Sequence, residues 1–89
     1  MLPREERIAE MRRRLEAAFA PVELEIIDDS HKHVGHEGGR HGHGHYTVRI
    51  RAEAFRGQSP LAQHRAVYAA LGELTTTDIH ALAIQSGVP

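Results

Sequence analysis

The sequence predicts an α+β sandwich in which helices cover one face of a small sheet. Two amphipathic helical segments flank a pair of alternating strands, and a short apolar strand follows the second helix, so the predicted order is α-β-β-α-β. A short extra helical turn is expected near Phe55 or Thr76. The chain of 89 residues is expected to form a single domain over residues 1–89.

The first helix is predicted from Pro3 to Phe19. Apolar residues recur there with a period of about 3.6 residues, and charged residues fill the opposite face. Acidic residues near the start and arginines toward the end suit the helix dipole, and Pro21 ends the helix. The residues predicted to face the core are Ile8, Met11, Leu15, Ala18 and Phe19.

Two one-faced strands are predicted next, because apolar and polar residues alternate in both. The first spans Val22–Ile27, and the second follows a His- and Gly-rich loop at about residues 29–44. The short connection and the matched pattern favour an antiparallel pair. The residues predicted to face the core are Val22, Leu24 and Ile26 in the first strand and Tyr46, Val48, Ile50 and Ala52 in the second.

The second helix is expected to begin at Pro60, with Ser59 as its N-cap. Its apolar stripe runs to about Leu74, where three threonines and an aspartate interrupt it. The segment Ile79–Ile84, IHALAI, is almost wholly apolar, which predicts a strand covered on both faces or inside the sheet. The helix residues predicted to face the core are Leu61, Val67, Tyr68, Leu71 and Leu74.

Composition narrows the function classes. The formal net charge of -1 gives no long-range attraction to phosphate backbones, so nucleic-acid binding would need a local patch. Because the chain has no cysteine, it offers neither disulfides nor thiolate metal ligands. No apolar run is long enough for an export signal or a membrane span, so a cytoplasmic location without membrane contact is expected. No serine has an identifiable base and acid partner, which predicts a protein that is not an enzyme.

Six of the eight histidines lie in the segment from Asp28 to Val48, and such a tract is typical of metal binding. His41 and His43 are interpreted as adventitious sites for nickel, copper or zinc. His45 begins the second strand and is interpreted as a residue that orients the loop. A zinc site built from loop histidines alone is a further alternative, although glycines do not supply a rigid tetrahedral cage.

Two histidines lie outside the loop. His80 opens the last strand, where it is either a semi-buried histidine that donates to a backbone carbonyl or a metal ligand that projects from the end of the sheet. His64 lies at the border of the second helix's apolar stripe, which favours packing or a surface hydrogen bond. Together with Arg65 it would alternatively form part of a partner-docking surface.

Three segments together resemble the BolA family: FRGQSPLAQHRAVYAAL (Phe55–Leu71), IHALAI (Ile79–Ile84), and SHKHVGH followed by HYTVRI. The resemblance covers nearly the whole chain from Arg4 onward. It implies an α-β-β-α-α-β arrangement similar to the second class of KH domains. The residues that match the family pattern are Phe55, Gly57, His64, Arg65, Val67, Tyr68, Leu71, Ile79, His80, Ala81, Leu82 and Ile84.

The resemblance also implies a monothiol glutaredoxin as partner. Such pairs hold a [2Fe-2S] cluster that is ligated by the glutaredoxin cysteine, by glutathione and by histidines of the BolA-like protein. Alignment with the family pattern makes His80 and His33 the implied ligands, with His31 and His36 as alternates in the same loop. The missing cysteine fits this division, since two histidines replace two cysteines on one iron of a Rieske centre.

DNA-binding transcriptional regulation is the second role that the resemblance implies. Arg49 and Arg51 on the exposed face of the second strand, with Arg56 and Arg65, would supply a basic patch. Pairing with acidic residues of the neighbouring strand is the preferred interpretation of those two strand arginines. The KH-like fold does not itself predict RNA binding, because the G-x-x-G patterns of this chain lie in the loop between strands.

Overall fold

The computed structural model describes residues 1–30 and 44–89. The predicted order of elements is confirmed, and short helical turns occur near both Phe55 and Thr76. No helix in the described part of the chain is long and apolar enough to cross a membrane. The elements are α1 (Arg4–Phe19), β1 (Glu23–Asp28), β2 (Gly44–Arg51), a 3-10 turn (Glu53–Phe55), α2 (Pro60–Leu71), α3 (Leu74–Thr77) and β3 (Ile79–Gly87).

The sheet has three strands in the order β1-β2-β3. As predicted, β1 and β2 are antiparallel, with Glu23 opposite Arg51 and Asp28 opposite Tyr46. Strand β3 runs parallel to β2. The parallel arrangement requires a long crossover, and the segment containing α2 and α3 provides it.

The prediction that the last strand is covered on both faces is wrong. Strand β3 lies at one edge of the sheet, and its side chains alternate between the packed face and solvent. Ala81 and Ala83 are exposed, whereas Leu82 and Ile84 pack against the core. Alanine is small enough to be tolerated on an open face, so the segment looks uniformly apolar in the sequence although only one of its faces is covered.

The core lies between the helices and one face of the sheet. The four core positions predicted in β2 and after it are confirmed, since Tyr46, Val48, Ile50 and Ala52 are all buried. On the opposite face, Arg49, Arg51 and Gln85 are exposed, so the helices cover one face only, as predicted. The buried apolar residues are Met11, Leu15, Tyr46, Val48, Ile50, Ala52, Phe55, Val67, Leu71, Leu74 and Ile79.

Four residues predicted to face the core are exposed: Ala18, Val22, Leu61 and Tyr68. Val22 precedes the edge strand β1, where no helix covers it. In α2 the buried stripe runs through Gln63, Val67 and Leu71, at intervals of four residues, and this stripe is rotated from the predicted one. Gln63 is tolerated there because its side-chain amide donates to the Gln58 carbonyl at 2.9 Å.

Both ends of α2 follow from local chemistry. The Ser59 hydroxyl accepts a hydrogen bond from the Ala62 amide at 3.1 Å, which confirms the predicted N-cap. The helix ends at Leu71 and not at Leu74, because Gly72 adopts a positive φ of 59°. The chain then restarts as α3, which leads directly into β3.

Candidate metal site at the start of the second and third strands

Two histidines meet where β2 and β3 begin. Because these strands are parallel, their first residues lie side by side, with Gly44 opposite Ile79 and His45 opposite Ala81. His80 is the extra residue between those two pairs, which makes the start of β3 a bulge. The ring centroids of His45 and His80 are 5.0 Å apart, and the ring planes are inclined by 55°. Two imidazoles therefore share one corner of the sheet.

The backbone of His45 is fixed by the two residues that follow β1. Its amide donates to the Ser30 hydroxyl at 3.0 Å, and its carbonyl accepts from the Asp29 amide at 2.7 Å. Ser30 is itself held by a hydrogen bond from its amide to the Asp28 carboxylate at 2.8 Å. The His45 side chain is only 8% exposed. Its predicted role in orienting the loop concerns residues outside the described ranges and stays a prediction.

His80 is exposed, whereas Ile79 before it is only 6% exposed. Strand alternation sends Ile79 into the core and His80 to the surface, and the bulge leaves both His80 and Ala81 exposed before the alternation resumes at Leu82. The exposure of His80 argues against the interpretation as a semi-buried structural histidine. It agrees with a side chain that projects from the end of the sheet.

The start of β3 is anchored by the buried carboxylate of Asp78, which is 2% exposed. Its Oδ2 accepts from the Arg7 Nε at 3.2 Å and from the Leu2 amide at 2.7 Å. Thr77 donates its hydroxyl to Oδ1 at 2.5 Å. Burial opposes ionisation of Asp78, but these hydrogen bonds and the charge of Arg7 lower its pKa below the ordinary value of 3.8. The group is therefore a charged link between α1 and the strand that carries His80.

The same residue also ties the two strands together, because the Gly44 amide donates to the Asp78 carbonyl at 2.9 Å. The anchor at Asp78 is not among the residues predicted from the sequence. A signal was present, since Arg7 precedes Met11 and Leu15 at intervals of four residues, on the buried stripe of α1. A charged residue at such a position requires a buried partner of opposite charge.

The remaining predicted ligands fall elsewhere. His33 and its alternates His31 and His36 lie outside the described residues, as do His41 and His43. Among residues 1–30 and 44–89, no group of three or more His, Asp or Glu side chains is arranged to hold a metal ion. Within that part of the chain, His45 and His80 are two neighbouring imidazoles without a third such side chain beside them. Imidazole nitrogen suits iron, zinc, copper and nickel, so the donor chemistry fits the histidine side of a shared cluster.

His64 and Arg65 lie on the outer part of α2, where His64 is partly buried and Arg65 is exposed. Two large apolar residues, Leu61 and Tyr68, are 58% and 45% exposed on the same helix. The spacing of these four residues, i, i+3, i+4 and i+7, places them on one helix face. We call this face the α2 surface.

The arginines of the open sheet face are paired, as predicted. Arg49 lies 3.2 Å from the Glu25 carboxylate, and Arg51 lies 3.5 Å from that of Glu23. Arg56 pairs with Glu53 in the 3-10 turn. These contacts leave the open face with little excess positive charge.

A protein-family model described as BolA-like protein matches residues 15–89. The chain belongs to the BolA-like protein family. The match includes β1, β2, α2, α3 and β3, so both members of the histidine pair lie inside the BolA-like region. Arg7, which anchors Asp78, lies before it.

Several individual proteins are similar to this chain, and two of them are named as BolA proteins. An uncharacterised protein from the cobS 5' region of Sinorhizobium sp is 42% identical over 79 residues, which cover 86% of this chain and 85% of that protein. The DNA-binding transcriptional regulator BolA of Escherichia coli is 38% identical over 81 residues, with coverage of 91% and 71%. The chain spans only 23% of SufE-like protein 1 and 55% of BOLA1, both from Arabidopsis thaliana.

Solved BolA structures confirm the α+β fold. The BolA domain of SufE1 from Arabidopsis thaliana superposes with a TM-score of 0.81 at 35% identity, covering 100% of this chain and 96% of that domain. BolA1 from Arabidopsis thaliana gives a TM-score of 0.79 at 37% identity, with coverage of 93% and 92%. The mixed three-stranded sheet with its helices is therefore the BolA-like architecture.

Proposed function

We propose that this BolA-family chain pairs with a monothiol glutaredoxin and contributes histidine ligands to a [2Fe-2S] cluster, shared with the glutaredoxin and glutathione. The chain itself would be non-enzymatic and would serve in iron-sulfur cluster handling or iron regulation. The observation that carries the proposal is the exposed His80 at the end of the sheet, where a partner's metal centre can reach it. The absence of cysteine from the chain supports a division in which the partner supplies sulfur.

Each part of the site has a defined task in this proposal. His80 and His33 are the proposed ligands, with His31 and His36 as alternates for the loop position. The buried Asp78 holds the start of β3 so that His80 keeps its direction. The α2 surface, with exposed Leu61 and Tyr68 beside the His64–Arg65 pair, is the proposed docking face, because apolar and aromatic groups with an arginine are typical of interface centres.

Mixing the chain with a cluster-loaded monothiol glutaredoxin tests the proposal. We expect a heterodimer whose visible absorption and circular dichroism spectra differ from those of the glutaredoxin alone, since imidazole ligation changes the electronic environment of an iron. The change should be lost in His80→Ala and weakened in His33→Ala. His41→Ala is the matched loop control and should leave the spectrum of the complex unchanged.

Docking is tested separately from ligation. Arg65→Glu places the opposite charge at the centre of the α2 surface and should weaken the heterodimer, measured by size-exclusion chromatography, without removing a proposed ligand. Cluster spectra that are indifferent to the loss of both His80 and the loop histidines would contradict the proposal.

A DNA-binding regulator is the second candidate function, and the Escherichia coli relative named as such favours it. The paired arginines of the open sheet face and the net charge of -1 weigh against it. Salt-sensitive retention of duplex DNA, reduced by the double change Arg49→Gln and Arg51→Gln, would support this function. The support for DNA binding would be strongest if the chain also left the visible spectrum of cluster-loaded glutaredoxin unchanged.

A further inference from the structure

We propose that His45 and His80 form a chelating site for one divalent transition-metal ion of the zinc, copper or nickel class. Both imidazoles come from the folded strands β2 and β3 and not from the His-rich loop. The site therefore differs from a loop-only metal site, and it requires no partner protein. In this proposal His45 is a metal ligand.

The spacing of the two rings suits a shared ion. Metal–nitrogen distances are about 2.0–2.1 Å, and at a tetrahedral angle two imidazoles on one ion place their ring centroids about 5 Å apart. The observed separation of the His45 and His80 centroids is 5.0 Å. The separation of the two rings therefore matches that of two imidazoles bound to one ion.

Both histidines are held in place before any ion arrives. The backbone of His45 is fixed by Ser30 and Asp29, and the start of β3 is fixed to β2 through the hydrogen bond between Gly44 and Asp78. Because the strands are already ordered, binding costs little conformational entropy beyond that of the two side chains. This distinguishes the pair from histidines spaced along a Gly-rich sequence.

The exposure of the two histidines and the number of protein ligands determine how readily an ion enters and leaves the site. His45 is 8% exposed and supplies a nitrogen from a nearly dry environment, while His80 is exposed and gives access from solvent. No third His, Asp or Glu among residues 1–30 and 44–89 joins the pair, so these residues contribute two nitrogens to the proposed site. An ion held by two protein nitrogens exchanges more readily than one in a closed four-ligand cage.

The proposal has a consequence for the shared cluster, which rests on the proposed function. His80 would serve both the single ion and the cluster, so the two would compete for it. Saturating zinc should therefore reduce the spectral change seen with cluster-loaded glutaredoxin.

The direct test uses copper(II) with the isolated chain in a background where the five loop histidines are changed to Asn: His31, His33, His36, His41 and His43. Titration followed by electron paramagnetic resonance should show about one copper per chain with hyperfine coupling to two nitrogens. His80→Phe in this background should lower the affinity for copper by roughly tenfold or more, since the loss of a residue that only hydrogen-bonds to a metal ligand already has an effect of that size. His64→Phe is the matched control and should bind copper as the background does.

His45→Phe keeps a ring of similar size at the buried position and should have the same effect as His80→Phe. Far-ultraviolet circular dichroism shows whether each variant is folded. If His45→Phe does not fold, the copper affinity of His80→Phe still tests the proposal, because His80 is exposed. Unchanged copper affinity in His80→Phe, or no copper binding by the background chain, would overturn the proposal and leave the pair as ring packing. Glutaredoxin is absent from this test, so its outcome is independent of the cluster proposal.

Discussion

At Asp78, one buried carboxylate joins residues that are 71 and 76 positions away in the sequence, Arg7 and Leu2. Arg7 and Asp78 are 3% and 2% exposed, so neither charge is solvated by bulk water. A buried pair of this kind adds little over an apolar pair, but the loss of one member leaves an uncompensated charge in the core. The residue thus couples the stability of the fold to the placement of His80.

Asp78→Asn should lower the free energy of unfolding by about 3–5 kcal/mol, because Arg7 then keeps a buried charge without its counter-ion. Urea denaturation followed by circular dichroism measures the change. Adding Arg7→Met to Asp78→Asn should recover part of the loss. A matched change at an exposed carboxylate, Glu53→Gln, should leave the urea midpoint nearly unchanged, and an equal loss in both variants would contradict this account.

The same pair predicts a pH dependence. Because the folded-state pKa of Asp78 is lowered from 3.8, its contribution is present above the unfolded-state pKa and is lost as the pH falls through the folded-state value. The difference in stability between the wild type and Asp78→Asn should therefore be constant near neutral pH and shrink in acid.

Ala20 is a second informative residue, since it ends α1 with φ 44° and ψ 55°, in the left-handed region. An alanine there is strained by its Cβ, and glycine is not. Ala20→Gly should raise the free energy of unfolding by about 0.5–1 kcal/mol in urea denaturation. Ala17→Gly, inside the same helix, should instead lower it by about 1 kcal/mol. Changes of the same sign in the two variants would contradict this interpretation.

Among the elements, α2 has a start that is set by local sequence and a buried face that is set by tertiary packing. Ser59 and Pro60 define its start in the sequence, and the structure agrees. The face of α2 that is buried depends on the positions of α1 and the sheet, and the local sequence pattern does not predict these positions. Gln63 occupies a core position because a backbone carbonyl satisfies its amide, while the larger apolar Leu61 and Tyr68 remain outside.

The N-cap of α2 gives a prediction at this scale. Ser59→Ala removes the acceptor for the Ala62 amide and should lower the free energy of unfolding by about 1 kcal/mol, measured by urea denaturation. Ser59→Asp should restore most of that stability, because its carboxylate caps the helix and suits the positive end of the dipole. If the alanine and aspartate variants are equally destabilised, the cap is not the cause.

For the whole molecule, the fold class, the order of elements and the antiparallel β1–β2 pair could all be predicted from periodicity and capping. The position of β3 at an edge could not, since its exposed alanines are as apolar as core residues. Of the candidate site, His80 was predicted to lie at the end of the sheet. Its closeness to His45 depends on the parallel register and the bulge, which bring together residues 35 positions apart and leave no local trace.

The strand order also determines when the molecule can be completed during synthesis. Strand β2 is central but needs β3, which begins 28 residues after β2 ends. At about 5–20 residues per second, the ribosome needs roughly 1–6 s to add that crossover. Throughout that interval one backbone edge of β2 lacks its partner strand, and the apolar side chains of β2 are incompletely covered. An unpaired edge of this kind is a site at which partly made chains can aggregate.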